Sequence, residues 1–324
     1  MTPFTIFAPA KINLALHVLG RRADGYHDLD SIAAFADIGD WLNFSPSRHF
    51  AITAGGPFAA DLPPTDDNLI AKAWTKMRGL IPDLAPVAVH LTKNLPVASG
   101  IGGGSANAAA AIRAALRLAG ITRYSEAVLA VALSLGADVP VCLIGKACRL
   151  QGMGERITPL ENFRPLHAVL VNPGIAVSTI EVFRKLGLEK GRKFGTPIGD
   201  ISAPASWRND LMAPAIALAP VIGEVMAAMR LSYPSSRSGE GGERKRAGGA
   251  GAAGEGPHPS RADDSARHLP HASRGEGKET PFVSMSGSGA TCFGLFPDKA
   301  AASAAVAALR HSHLEWWVAR TILS

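Results

Sequence analysis

Four glycines between positions 100 and 104, broken only by Ile101, run directly into the alanine-rich stretch Ala106 to Leu118. Glycine permits positive φ and lets a ligand approach the backbone where a Cβ would block it. The alanines predict a strong helix, so the free N–H groups of the loop and the positive end of the helix dipole converge on one spot. That combination predicts a phosphate-binding loop made of Pro96, Val97, Ala98, Ser99, Gly100, Ile101, Gly102, Gly103, Gly104, Ser105 and Ala106. A plain strand-to-helix turn is the simpler alternative. No Lys-Ser or Lys-Thr follows the glycines, so this is not a Walker A loop, and the signature triplets of protein kinases are missing.

The chain can build a core large enough for such a site. Its 324 residues are 47% hydrophobic, which suits two domains or one large one. A net charge of +6, with scattered basic residues, fits an enzyme of anionic metabolites and gives little support to nucleic-acid binding. Cys142, Cys148 and Cys292 have neither disulfide-framework nor zinc spacing, which predicts free thiols in a reducing compartment. The N-terminus lacks the pattern of a secretory signal, and the apolar run 127–145 contains Asp138 between Gly136 and Pro140. We therefore expect a cytoplasmic protein without a membrane span, with helix, turn and strand across that run.

The opening residues alternate as two strands joined around Ala8-Pro9-Ala10-Lys11, with strand-like sequence again through Phe35 and at Trp41 to Phe44. Asn68 can cap a helix from Leu69, and Val87 to Leu91 is a strand leading through Lys93 to the glycine loop. Ser125 and Ser178 can cap further helices, and a helical region after Asn209 is expected to break at Pro214 and Pro220. Within 234–280, Leu269 is the only aliphatic residue besides alanines, and eight basic residues face seven acidic ones. Such a segment cannot offset chain entropy, so a disordered insertion is expected. Strand-like sequence resumes around Met285 and ends near Thr321. The mixture predicts an α+β protein with one domain over 1–160 and a second over 161–324, interrupted at 234–280.

Three stretches now stand in order: Ala8-Pro9-Ala10-Lys11-Ile12-Asn13, Pro96 to Asn107, and Met285 to Thr291. Together they resemble the three signature motifs of the GHMP kinases. The resemblance implies a domain like the second domain of ribosomal protein S5, then a ferredoxin-like domain, with the active site between them. Arg22-Ala23-Asp24-Gly25-Tyr26-His27 and Gly136-Ala137-Asp138-Val139-Pro140 are similar to one branch of that family. That branch transfers the γ-phosphate of ATP to the 2-hydroxyl of a methylerythritol unit carrying cytidine diphosphate, in the non-mevalonate route to isoprenoids. A kinase of mevalonate, homoserine or a sugar, or a silent nucleotide-binding relative, is the alternative.

By the same resemblance, Asp138 is the general base with Lys11 beside it, Tyr26 and His27 hold the cytidine, and Asn13, Thr179 and Phe183 contact the substrate. Asn68 and Lys93 are further nucleotide contacts. On spacing alone, Asp138 is a turn or cap residue, Lys11 and Lys93 are solvated lysines, and Asn68 is a helix cap. The third motif is expected near the phosphates or behind the first loop. Phosphoryl transfer implies Mg2+, for which no ligands are assigned. The protein is expected as a monomer or homodimer.

Overall fold

The computed structural model describes residues 1–62, 67–233 and 282–324. The expected insertion at 234–280 lies outside the described residues.

Two long strands form the frame. β1 (Phe4–Arg21) and β2 (His27–Pro46) pair antiparallel over almost their whole lengths. The two strands expected on either side of Ala8 to Lys11 are therefore one. Its register shifts between Pro9 and Lys11 and again between Asn13 and Ala15, and such bulges bend a strand without ending it. The first shift falls at Ala8 to Lys11, where the two alternating runs meet, so the sequence there reads as a junction.

β3 (Ala51–Gly55) is followed by α1 (Leu69–Leu80), β4 (Val87–Thr92) and α2 (Gly103–Leu118). Asn68 caps α1, its Oδ1 accepting from the Ile70 N–H at 2.9 Å. α3 (Glu126–Leu135) and α4 (Val139–Ile144) come next, the second a helix where a strand was expected. Gly136 ends α3, and Pro140 in the first turn of α4 removes only an N–H that has no helical partner there.

The chain continues through β5 (Cys148–Gly152), β6 (Arg156–Pro159), β7 (Leu166–Asn172) and α5 (Thr179–Leu186). α6 (Met212–Leu218) and α7 (Val221–Leu231) follow. Pro214 falls in the first turn of α6 and is accommodated, so the expected interruption occurs only around Pro220. β8 (Val283–Met285), β9 (Cys292–Phe296), α8 (Lys299–Ser312) and β10 (Trp317–Leu323) complete the described fold.

β2 organises the sheet. One edge takes β1; the other takes β5 over residues 29–33, β10 at Ala36 and β4 over residues 41–46. The order β3-β4-β2-β10-β7-β9-β8 then joins early and late parts of the chain. Alanines of α2 are buried against β1, α1 and α4, where their small side chains permit close approach. Burial pushes the Cys142 and Cys292 thiols up to about 12 and Cys148 to about 11, so all three stay protonated. Among the described residues no single helix is long and apolar enough to cross a membrane.

Candidate active site

The bulges of β1 face the rest of the site. At the first, the Lys11 N–H donates to Ile101 O of the glycine loop at 2.9 Å. At the second, the Asn13 N–H donates to Ser286 Oγ at 3.1 Å. Ser286 Oγ in turn donates to Gly100 O at 3.0 Å, and the Thr291 N–H to Ser99 O at 3.1 Å. The third motif thus braces the first loop from behind.

This contact explains two glycines. A Cβ at Gly100, where φ is +77°, would collide with Gly289 O and lie 2.9 Å from Ser286 O. Gly102, at φ +65°, begins α2 in the left-handed region and faces the Lys11 side chain. Gly100→Ala should therefore combine φ strain with backbone overlap and destabilise the fold by about 1–3 kcal/mol. Gly103→Ala, whose Cβ would meet only side-chain atoms at 3.3 Å or more, is the matched control. Chemical denaturation checks both; equal midpoints would contradict this account of the contact.

Lys93 and Asp40 support the loop on the other side. Lys93, 2% exposed, donates from its ammonium to Asp40 Oδ2 at 2.7 Å, and Asn107 Nδ2 donates to the same oxygen at 3.0 Å. Asp40 Oδ1 accepts the N–H groups of Asn94 and Leu95 at 2.7 and 2.9 Å. Burial lowers the Lys93 pKa despite the opposing pull of Asp40. Lys93, expected as a nucleotide contact, thus lies at the wall of a cavity while its ammonium is held in an internal ion pair. A cavity of about 310 Å³ lies over this arrangement, lined by Asn68, Leu69, Lys93, Pro96 to Gly100 and Gly102 to Ser105. Of the predicted loop, Ile101 and Ala106 are buried behind it.

Lys11 and Asp138, distant in sequence, meet at 2.7 Å. Asp138 occupies the N-cap position of α4, yet its side chain makes no capping bond. Its side chain is 44% exposed against 4% for that of Lys11, so a carboxylate open to a ligand is backed by a buried cation. Both line a cavity of about 180 Å³ that also contacts Asn13, Ser31, Thr179 and Phe183. It shares Gly100 and Gly102 with the first cavity. Asn13 Nδ2 donates to Ser31 Oγ at 2.9 Å, and the Thr179 and Ser288 hydroxyls lie 2.7 Å apart.

A third and larger cleft, about 720 Å³, holds Tyr26, His27, Thr179, Ile180 and Phe183 and shares Leu29, Met153, Thr179 and Phe183 with the second. His27 stacks on Phe183 with ring centroids 4.4 Å apart. Its Nε2 is buried without a hydrogen-bond partner. Burial first, and the Arg21 charge second, lower its pKa. Tyr26 is 62% exposed at the rim. Arg21 fastens this cleft, its Nε donating to Gly25 O at 3.2 Å and its Nη1 to Leu188 O at 2.9 Å.

The arrangement is a graded trough: a glycine loop for phosphates, a carboxylate–ammonium pair, then an aromatic cleft with an unsatisfied imidazole nitrogen. Its middle can deprotonate an alcohol beside bound phosphates. Asp40 and Arg21 carry parts of the site that the sequence did not single out, whereas the bracing of the first loop by Ser286 matches the place expected for the third motif. Asp40 falls between the two strand-like stretches ending at Phe35 and starting at Trp41, and its burial, which demands partners, shows only once β2 is seen to run through it.

The descriptions "GHMP kinases N terminal domain" and "GHMP kinases C terminal" match residues 68–146 and 278–314. The chain belongs to the GHMP kinases. It is 43% identical to the 4-diphosphocytidyl-2-C-methyl-D-erythritol kinase of Methylobacterium radiotolerans, with 100% of both chains covered. The protein of the same name from Paramagnetospirillum magneticum is 40% identical over 98% of each chain. A crystal structure of 4-(cytidine 5'-diphospho)-2C-methyl-D-erythritol kinase superposes with a TM-score of 0.72 at 27% identity, covering 99% of both chains. Homoserine kinase from Cytophaga hutchinsonii, at 16% identity and a TM-score of 0.62, covers 100% of this chain and 95% of its own and shares the fold.

Proposed function

We propose that this chain is an ATP-dependent kinase that phosphorylates the 2-hydroxyl of 4-diphosphocytidyl-2-C-methyl-D-erythritol, in the non-mevalonate route to isoprenoid precursors. The observation that carries the chemistry is the Lys11–Asp138 pair at the junction between the glycine-loop cavity and the His27–Phe183 cleft. The substrate's name follows from the full-length relatives. Residues 1–160 and 161–324 are the two domains in this reading.

ATP lies with its phosphates on the loop from Pro96 to Ala106, its nucleoside end towards Asn68 and Leu69. A tertiary alcohol is a weak nucleophile. Asp138 accepts its proton as the oxygen bonds to the γ-phosphorus and the bond from that phosphorus to the bridging β–γ oxygen breaks, releasing ADP. Lys11 keeps the carboxylate ionised and offsets charge developing on the transferred group. Cytosine lies in the aromatic cleft between Tyr26 and Phe183, where stacking supplies affinity and the unpartnered His27 Nε2 supplies a directional polar contact.

Among the described residues no three His, Cys, Asp or Glu side chains gather into a metal site. That sparse donor set fits Mg2+, which nucleotide phosphates and water would mainly hold, with the Ser105 hydroxyl at the glycine-loop cavity as the protein donor. When bound, the ion neutralises the phosphate oxygens.

His27 gives this reading a pH signature. A folded pKa below the ordinary 6.5 means that stability is whole above that value and erodes as pH falls through the lowered one. The substrate buries the ring further, so KM for the cytidine substrate should rise over the same descent while KM for ATP stays level. His27→Gln should flatten the dependence, and identical profiles for the two ligands would contradict the assignment. A panel of mevalonate, homoserine, a sugar and the cytidine-bearing alcohol tests the function as a whole. Only the last should support ATP turnover; preference for another alcohol would overturn the reading.

A further inference from the structure

α4 is only six residues long, so little of its own hydrogen-bonding ladder fixes its direction. Asp138 stands at its front. The carbonyls at its back are gripped from elsewhere: Cys142 O accepts from Arg113 Nη1 at 2.9 Å, and Leu143 O accepts from the Tyr124 hydroxyl at 3.1 Å. The other terminal nitrogen of Arg113, Nη2, donates to Phe7 O at 3.1 Å. Phe7 lies on β1, one bulge ahead of Lys11. Arg113 itself belongs to α2, about three turns along from the phosphate loop.

One guanidinium therefore joins three elements that each bring one part of the reacting centre: the loop, Lys11 and Asp138. Among the described residues Arg113 has no carboxylate partner, although burial lowers its pKa. Its charge is directed at the two carbonyls. A planar fork reaches two acceptors in fixed directions, which a lysine cannot reproduce.

The geometry points to Arg113 as a positioning residue that sets the spacing of Lys11 and Asp138 from behind, through the Phe7 and Cys142 carbonyls. This role rests on the proposed chemistry of that pair. α4 is short, so slack at its back reaches Asp138 at its front, and displacement on the scale of 1 Å is enough to cost a reaction heavily.

The test is a double-mutant cycle in kcat. Arg113→Met should lower kcat by about ten- to a hundredfold, with little change in KM for ATP or for the cytidine-bearing alcohol. Arg113→Lys, keeping one of the two contacts, should lose less. In an Asp138→Asn background the Arg113→Met change should cost several-fold less than in the parent chain, because the base it positions is gone and only its hold on the strand of Lys11 remains. Should Arg113→Met fail to fold, Tyr124→Phe serves as the milder variant, since it removes only the hydroxyl bond to Leu143 O. It should give a smaller loss of kcat that vanishes in the Asp138→Asn background. Equal losses in both backgrounds, or unchanged kcat in folded Arg113→Met, would overturn the inference while leaving the role of Asp138 standing. Unchanged kcat in Asp138→Asn itself would remove that role and the inference with it.

Discussion

Asp138→Asn is expected to reduce turnover by about two to four orders of magnitude while ATP binding and the fold persist, the usual scale of a lost general base. Asparagine matches the carboxylate in shape but cannot take the substrate proton. Its amide oxygen can still accept from Lys11, so the buried ammonium is not abandoned. The side chain's partial exposure further limits any structural cost. The loss should fall on kcat, with KM for both substrates little changed, because the contribution is made in the transition state. Steady-state kinetics on the folded variant checks this; a kcat near that of the parent chain would remove Asp138 from the mechanism.

Asp40→Ala should have the largest effect on stability, about 3–5 kcal/mol. The change leaves the Lys93 ammonium buried without its counter-ion and strips acceptors from Asn107 Nδ2 and the N–H groups of Asn94 and Leu95. Each unsatisfied buried donor adds to the cost. Combining Asp40→Asn with Lys93→Met removes the stranded charge and should recover part of the loss. Urea denaturation of the three proteins separates these terms. A loss below about 1 kcal/mol for Asp40→Ala would show that solvent reaches the pair, as for exposed ion pairs.

The glycine loop and the helix behind it are legible in sequence because their signals are local: glycines where φ turns positive, then alanines free to pack. Capping is legible for the same reason, and Ser125 and Ser178 accept from the N–H groups they were expected to serve. β1 is harder, since Pro9 and the bulge beside it divide the chain into two alternating runs although the strand stays paired with β2 on both sides. Its bulges turn the Lys11 and Asn13 N–H groups towards the glycine loop and the third motif, so the irregularity that obscures the strand also assembles the site.

Meetings between distant residues are the least legible. Asp138 looks like a cap until the folded chain brings Lys11 to it, and Lys93 looks solvated until Asp40 is found beneath it. Arg113 carries no sequence signal beyond being a basic residue in an alanine helix. Its partners are backbone carbonyls, which every residue possesses.

The central claim is that the trough transfers phosphate from ATP to the 2-oxygen of the methylerythritol unit and depends on the attached cytidine diphosphate. Mass spectrometry and phosphorus NMR of the products, from the nucleotide-bearing alcohol and from the same alcohol without it, test this most directly. The account predicts one phosphoryl group gained, on the 2-oxygen, with kcat/KM falling by orders of magnitude when the nucleotide is absent. Equal phosphorylation of both alcohols, or a phosphoryl group on another oxygen, would contradict it.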